Sequence, residues 1–209
     1  MAPVRIGVLA SGRGSNFRAL CEAWKRGELG GGEPVVLVSD KPGAGALDTA
    51  REFGVEPLAL SPKSYPTREA HEQAVIAALK ERQVGLVCLA GYMRILSPAF
   101  IRSFPGRILN IHPALLPSFP GLHGQRQALE HGAKVAGATV HFADEGCDTG
   151  PIILQAAVPV LEDDTEESLS VRILGQEHGL YPRAVRLFCD GALKIEGRRV
   201  RILGTGEKP

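Results

Sequence analysis

Short apolar runs alternate with longer amphipathic stretches over the first ninety residues. Arg5–Ala10 (RIGVLA), Pro34–Ser39 (PVVLVS), Glu56–Leu60 and Val84–Ala90 (VGLVCLA) are continuous enough in apolar character to be buried strands. Between them, Asn16–Arg26 carries Phe17, Leu20, Cys21 and Trp24 at helical spacing, Ala46–Phe53 is a second helix, and Thr67–Arg82 a third that opens on a capping threonine. Strand–helix alternation with strands apolar on both faces predicts a parallel sheet covered on each side.

Beyond Ala90 polar residues interrupt the pattern. Arg107–Ile111 (RILNI), Val135–Phe142 and Ile152–Val160 are extended segments. Thr165–Cys189 is the longest helical stretch, with Asp164 or Thr165 as its cap, Glu166 and Glu167 at its positive end, and Gly191 just past its close. Leu193–Glu196 and Val200–Leu203, around Gly197, form a C-terminal hairpin whose surplus of Lys and Arg, running to Lys208, suits a solvated edge. The expected fold is α/β: one doubly wound, mostly parallel, Rossmann-like sheet. In such sheets ligands sit beyond the C-terminal strand ends, so Ser11–Asn16 and Ala90–Arg94 are expected to share a crevice.

Composition narrows the function. The 209 residues fit a single domain, 1–209, able to bury a core without metal or disulfide staples. With 24 basic against 23 acidic residues the net charge is +1, which excludes a general nucleic-acid binder. The four cysteines, Cys21, Cys88, Cys147 and Cys189, form no CxxC pair and are expected to be reduced thiols. No apolar run is long enough to span a membrane, and Met1-Ala2-Pro3 leads directly into the first strand, so a cytoplasmic protein is expected.

Three segments carry chemistry. In Ala10–Asn16 (ASGRGSN), Gly12 and Gly14 permit a sharp turn and close approach of the backbone to a ligand, and the following helix offers unpaired N–H groups to an anion. Ser15 and Asn16 add donors. The same residues equally describe a tight strand-to-helix turn capped by Ser15. Phe17 replaces the third glycine of a dinucleotide fingerprint, and no Gly-Lys-Ser/Thr follows, so a small phosphorylated ligand fits better than NAD or ATP. An NAD oxidoreductase using Asp40 as ribose ligand, or a non-catalytic nucleotide sensor, would need the loop but not the second segment.

That segment is Leu109–Pro117 (LNIHPALLP). On a strand Asn110 and His112 share a face, so an amide donor and an imidazole aim at one point, an arrangement suited to an oxyanion. A structural histidine before a proline turn is the alternative. The third segment, Asp144–Pro151 (DEGCDTGP), is a loop in which Asp148 either orients His112 or serves as a turn former. His123 and His141 join His112 as conceivable metal ligands, but without a patterned carboxylate or cysteine the set is not a metal signal. His71, His131 and His178 fall on helical stretches.

Taken together, AGYMRILSPAF at Ala90–Phe100, NIHPALLPSFPGLH at Asn110–His123, VHFADEGCDTGPIILQ at Val140–Gln155 and the Gln176-Glu177-His178 triplet resemble the folate-dependent formyltransferase family over nearly the whole chain. The resemblance implies a formyltransferase-type fold, with a phosphate-binding half over about 1–100 and a folate-binding, catalytic half over about 101–209. It implies 10-formyltetrahydrofolate as formyl donor and glycinamide ribonucleotide as acceptor, in purine (IMP) synthesis and without a metal. Asn110, His112 and Asp148 fall on the catalytic positions, with Asp148 tuning His112 while Asn110 and His112 stabilise a tetrahedral intermediate. Gly14, Ser15 and Asn16 fall on the phosphate site, and Glu177 on the ribose contact. Met93, Arg94, Ile95 and Leu96, with Asn110 and backbone of the Ala143–Asp148 loop, fall on the pterin site, and Arg68 on the folate tail. Arg13 and Cys147 occupy positions the family varies. Family members acting on tRNA are expected to carry a further basic domain, and those hydrolysing formyl-folate an N-terminal regulatory one. A near-neutral chain whose first strand starts at about residue 4 is expected to take small substrates only, as a monomer or homodimer, with no nucleic-acid or membrane partner.

Overall fold

The structure is a computed structural model and describes residues 3–204. The Met1-Ala2 start and the Lys208 end of the basic tail lie outside the described residues. Nine strands join one sheet, in the order β3-β2-β1-β4-β5-β6-β7-β9-β8. They are β1 (Val4–Leu9), β2 (Gly32–Ser39), β3 (Glu56–Ala59), β4 (Leu86–Leu89), β5 (Ile108–His112), β6 (Val135–Phe142), β7 (Ile152–Pro159), β8 (Leu193–Glu196) and β9 (Arg199–Ile202). The helices are α1 (Ser15–Lys25), α2 (Gly45–Phe53), α3 (Arg68–Glu81), α4 (Pro98–Ser103), α5 (Gly124–Glu130) and α6 (Glu166–Cys189).

The first five strands are parallel, and the apolar runs explain why. β4 is buried at all four positions and β1 at its last four, because α1, α2 and α6 cover one face while α3 and α4 cover the other. From β5 onward the sheet turns antiparallel, through β6 and β7, and the C-terminal hairpin closes the far edge. Polar interruption of these later strands follows from position: β5 and β6 supply the floor of the crevice. The helices α4 and α5, which the apolar pattern did not single out, have only six and seven residues. Their caps are local: the Ser97 hydroxyl takes the Phe100 N–H, whereas His123 caps α5 in a left-handed conformation.

Helix ends elsewhere follow the sequence signals. Thr67 accepts the Ala70 N–H at the start of α3, and Thr165 and Ser168 satisfy each other's backbone N–H groups at the start of α6. Asp164, the other candidate cap, instead holds Arg172 at 2.6 Å. Ser15 does not cap α1. That place belongs to Gly14, at φ 80°, where any Cβ would lie 2.6 Å from Cβ of Ala46. Only glycine permits both the left-handed turn and the close approach of α2.

Helix α6 is fixed beneath the sheet by Tyr181, which is fully buried. Its hydroxyl lies 3.0 Å from the carbonyls of both Leu89, the last residue of β4, and Leu109, the second of β5. Tyr181 thereby ties together the two strands whose ends form the site. Tyr181→Phe removes one buried donor from two carbonyls, and should cost about 1–2 kcal/mol in chemical denaturation. An unchanged unfolding midpoint would show that the hydroxyl pins nothing.

Candidate active site

The order 3-2-1-4-5 puts the topological switch between β1 and β4, where the chain leaves the sheet in opposite directions and opens a crevice. The two expected loops meet there. The Ser11 N–H donates to the Gly91 carbonyl at 3.1 Å, and the buried Ser11 hydroxyl accepts the Met93 N–H at 3.0 Å. Ser11 was not singled out from sequence, though its place directly after an apolar strand and before Gly12 marked it as part of the turn.

At the glycine loop, no side chain caps α1 and no acidic residue occupies its first turn. The first N–H groups of a helix lack intrahelical partners, so this end is open to an anion. Beside it the Asn16 side-chain amide donates to Glu177 at 2.6 Å, linking α1 to α6, while the Asn16 side-chain oxygen is buried without a partner. Burial pushes the Glu177 carboxyl up, and the hydrogen bond from Asn16 works against that. Gly14, Ser15, Asn16 and Glu177 are therefore grouped at one end of the crevice.

Asn110 and His112 lie on β5 two residues apart, and Asp148 comes to both from the loop after β6. Asp148 has a left-handed backbone (φ 55°), which Asp tolerates better than most residues. Its two oxygens face different partners. Oδ2 is 3.3 Å from Nδ1 of His112 and accepts the Gly121 N–H at 2.8 Å. Oδ1 is 3.3 Å from the Asn110 amide nitrogen and 3.5 Å from Nε2 of His141. Burial alone would raise the Asp148 carboxyl. Hydrogen bonds from His141 and the Gly121 N–H, with the charge of His112 and His141, outweigh it and hold the group at about 2 instead of 3.8.

His112 is buried, and its Nε2 lies 2.9 Å from the Phe119 carbonyl. A carbonyl only accepts, so Nε2 carries a hydrogen, and Nδ1 faces the carboxylate. A ring protonated on both nitrogens meets an acceptor at each. The loop supplying Phe119 and Gly121 is tied down from two further strands. The Thr139 hydroxyl donates to Ala114 and accepts the Leu116 N–H, and the Gln155 amide donates to both Leu116 and Thr139. Thr139 stands opposite His112 in the β5–β6 register and Gln155 opposite Thr139 in the next.

The remaining residues are separated by role. Met93 and Ile95, in the turn after β4, and Leu122, in the loop after β5, are large apolar side chains left 59%, 68% and 66% exposed. Arg94 and Leu96 share the first turn, half-buried. Arg68 donates to the Ile95 carbonyl and lies 3.4 Å from the buried Glu72, so it braces that turn against α3. His123 is exposed at the start of α5, 3.8 Å from Glu166, whereas His141 is buried beside Asn110 and Asp148. Asp40 is buried at the end of β2 with one carboxyl oxygen unpartnered. Cys147 is exposed next to Asp148, which raises its thiol together with burial. Among the described residues no three His, Cys, Asp or Glu side chains are grouped as a metal ion would need.

An amide and an imidazole converging on one carboxylate, beside an open helix N-terminus at a sheet switch point, define a group-transfer site for an acyl-type carbon and an anionic substrate. Residues 4–185 match the model of the formyl transferase family, and the chain belongs to that family. It is 44% identical over 192 residues to phosphoribosylglycinamide formyltransferase of Escherichia coli, covering 92% of this chain and 90% of that protein. It is 50% identical over 192 residues to the trifunctional purine biosynthetic protein adenosine-3 of Drosophila melanogaster, covering 91% of this chain but spanning only 14% of that protein. The crystal structure of glycinamide ribonucleotide transformylase 1 from Symbiobacterium toebii superposes with a TM-score of 0.95 at 55% identity, covering 97% of this chain and 95% of that one.

The depressed carboxyl of Asp148 has a consequence for stability. Its folded value lies below the unfolded one, so the stabilisation is complete above about 4 and is lost as pH falls toward 2. It should reach on the order of 2 kcal/mol. The difference in unfolding free energy between the wild type and Asp148→Asn, followed by denaturant titration, should shrink over that window. A difference independent of pH would contradict the ion-pair geometry.

Proposed function

We propose that the chain transfers the formyl group of 10-formyltetrahydrofolate to the amino group of glycinamide ribonucleotide, a step of purine (IMP) biosynthesis. The observation that carries this reading is the convergence of Asn110 and His112 on Asp148, one loop away from the uncapped start of α1. The relatives named above supply the substrate class.

In this reading Gly14, Ser15 and Asn16 hold the ribonucleotide phosphate through backbone N–H groups and short side chains, and Glu177 takes the ribose hydroxyls. Exposed Met93 and Ile95, with Arg94 and Leu96, offer a flat, mainly apolar ledge that fits a pterin ring, and Asn110 reaches its reacting end. Arg68, about half exposed, presents a cation toward the glutamate carboxylates of the folate tail. The bound folate supplies the formyl carbon and the nitrogen that leaves.

As the ribonucleotide amine adds to that carbon, negative charge develops on the formyl oxygen. Asn110 and His112 stabilise it with their N–H groups. His112, protonated beside Asp148, then gives its Nε2 proton to the departing folate nitrogen. To do so Nε2 exchanges the Phe119 carbonyl for the substrate, so the loop after β5 holds the proton until the folate arrives. The first hundred residues thus hold mainly the phosphate, and the later ones the folate and the chemistry, within one domain. Four free thiols, two of them buried, fit a reducing cytoplasmic setting for a monomer or homodimer, and among the described residues no helix is long and apolar enough to cross a membrane.

A spectrophotometric assay with glycinamide ribonucleotide and a 10-formylfolate donor tests the reading directly, with water alone as the control acceptor. Transfer to the amine is expected, and hydrolysis without an acceptor would point to a deformylase. Asn110→Ala should lower kcat on the order of 100-fold, as removal of one oxyanion donor does elsewhere. His112→Ala and Asp148→Asn should cut turnover strongly in folded protein. Near-normal steady-state rates in a folded Asp148→Asn variant would remove that residue from the mechanism.

A further inference from the structure

His141 touches two of the three residues assigned a chemical role, yet has none itself. It stands on β6 directly opposite Asn110, 2% exposed, so the two side chains share one face of the sheet. Its Nδ1 lies 2.9 Å from the Phe142 carbonyl. A carbonyl only accepts, so Nδ1 carries a hydrogen and is committed to the backbone.

The other ring nitrogen is left to decide the polarity of its neighbours. Nε2 lies 3.1 Å from the Asn110 amide nitrogen and 3.5 Å from Oδ1 of Asp148, and that amide nitrogen is itself 3.3 Å from the same oxygen. Without a proton, Nε2 is a lone pair that accepts from the Asn110 NH2 group, whose second hydrogen goes to Asp148. Both amide hydrogens are then consumed internally. The end of Asn110 left for the crevice is its oxygen, which repels a developing oxyanion.

A proton on Nε2 reverses this. Two donors then face each other, and the amide relieves the clash by turning over about its terminal torsion, which has two nearly equivalent settings. Its oxygen takes the Nε2 hydrogen, shared with Asp148, and its NH2 group turns to the crevice. Among the described contacts, the titratable groups at this point are Asp148, His141 itself and, on the other carboxylate oxygen, His112 and the Cys147 thiol.

We infer that His141 is a positioning residue that sets which end of the Asn110 amide faces the substrate, with the donor end outward only when both ring nitrogens carry hydrogen. The inference rests on the reading of Asn110 as an oxyanion donor.

A double-mutant cycle on formyl transfer tests it. His141→Leu should lower kcat on the order of 100-fold, about one oxyanion donor, with KM for both substrates changed less than about threefold. His141→Gln, whose carboxamide can donate to the Asn110 oxygen, should recover at least part of the loss. In an Asn110→Ala background, His141→Leu should cost less than about twofold, because the residue it acts through is gone. An equal loss in both backgrounds would overturn the inference. A second measurement needs no turnover: in ligand-free His112→Asn protein, the Asn110 side-chain NH2 resonances and the His141 ring resonances should move with pH at a common midpoint. Independent behaviour overturns the inference, even if glycinamide ribonucleotide proves not to be the acceptor. Failure of the wild type to formylate that acceptor would instead overturn the functional reading alone.

Discussion

The site depends on one half-buried carboxylate. Asp148 is reached by Asn110 and His112 from β5, by Gly121 from the loop that follows, and by His141 from β6. An ionised carboxylate with little access to water is costly unless its lone pairs are filled. Donors drawn from three chain segments fill them, His141 taking the place of the Asn110 amide when its Nε2 carries hydrogen. Removing the charge would relax the imidazoles and the Gly121 loop together, so the same interaction that readies the site also fixes the local fold. Electrostatic preorganisation here is a matter of where hydrogen bonds terminate, not of adding charges.

The sheet brings those segments to one place. β1 and β4 diverge at the switch point, and Ser11 and Met93 seal the seam between their loops. The long connection after β5, which carries α5, then sets β6 antiparallel beside it, so Asn110 faces His141 and His112 faces Thr139. Tyr181, tied to β4 and β5 from α6, keeps the start of α1 and the Asn110–His112 pair in fixed relation, since Glu177, which Asn16 reaches, lies one turn earlier on the same helix.

What was legible in the chain follows from the range of each interaction. Continuous apolar runs located the strands of the parallel half, and alternation along Leu109–His112 put Asn110 and His112 on one face, because both signals are local. Caps at Thr67 and Thr165 were readable for the same reason. The short helices α4 and α5 were not, since six or seven residues hold too few apolar positions to show a period. Asp148 could be named only as a loop carboxylate, and its meeting with His112 came from family resemblance. His141 was visible as one histidine of a doubtful metal set. Its real neighbours depend on antiparallel register, which the Asn-x-His and Val-x-Phe alternations would have suggested had the two strands been paired in advance.

The site leaves few of its donors idle. His112 gives its Nε2 hydrogen to Phe119, the Asn110 amide is engaged with His141 and Asp148, and Thr139 and Gln155 hold the intervening loop. An unpaired group in a buried pocket costs as much as a lost hydrogen bond, so these internal partners stabilise the site. Substrate binding at His112 then becomes an exchange of partners rather than the making of a new bond, a substrate atom for the Phe119 carbonyl. Such exchanges are close to neutral in the ground state. They become favourable only as charge develops on the substrate atom, which is the condition for stabilising a transition state more than a bound substrate.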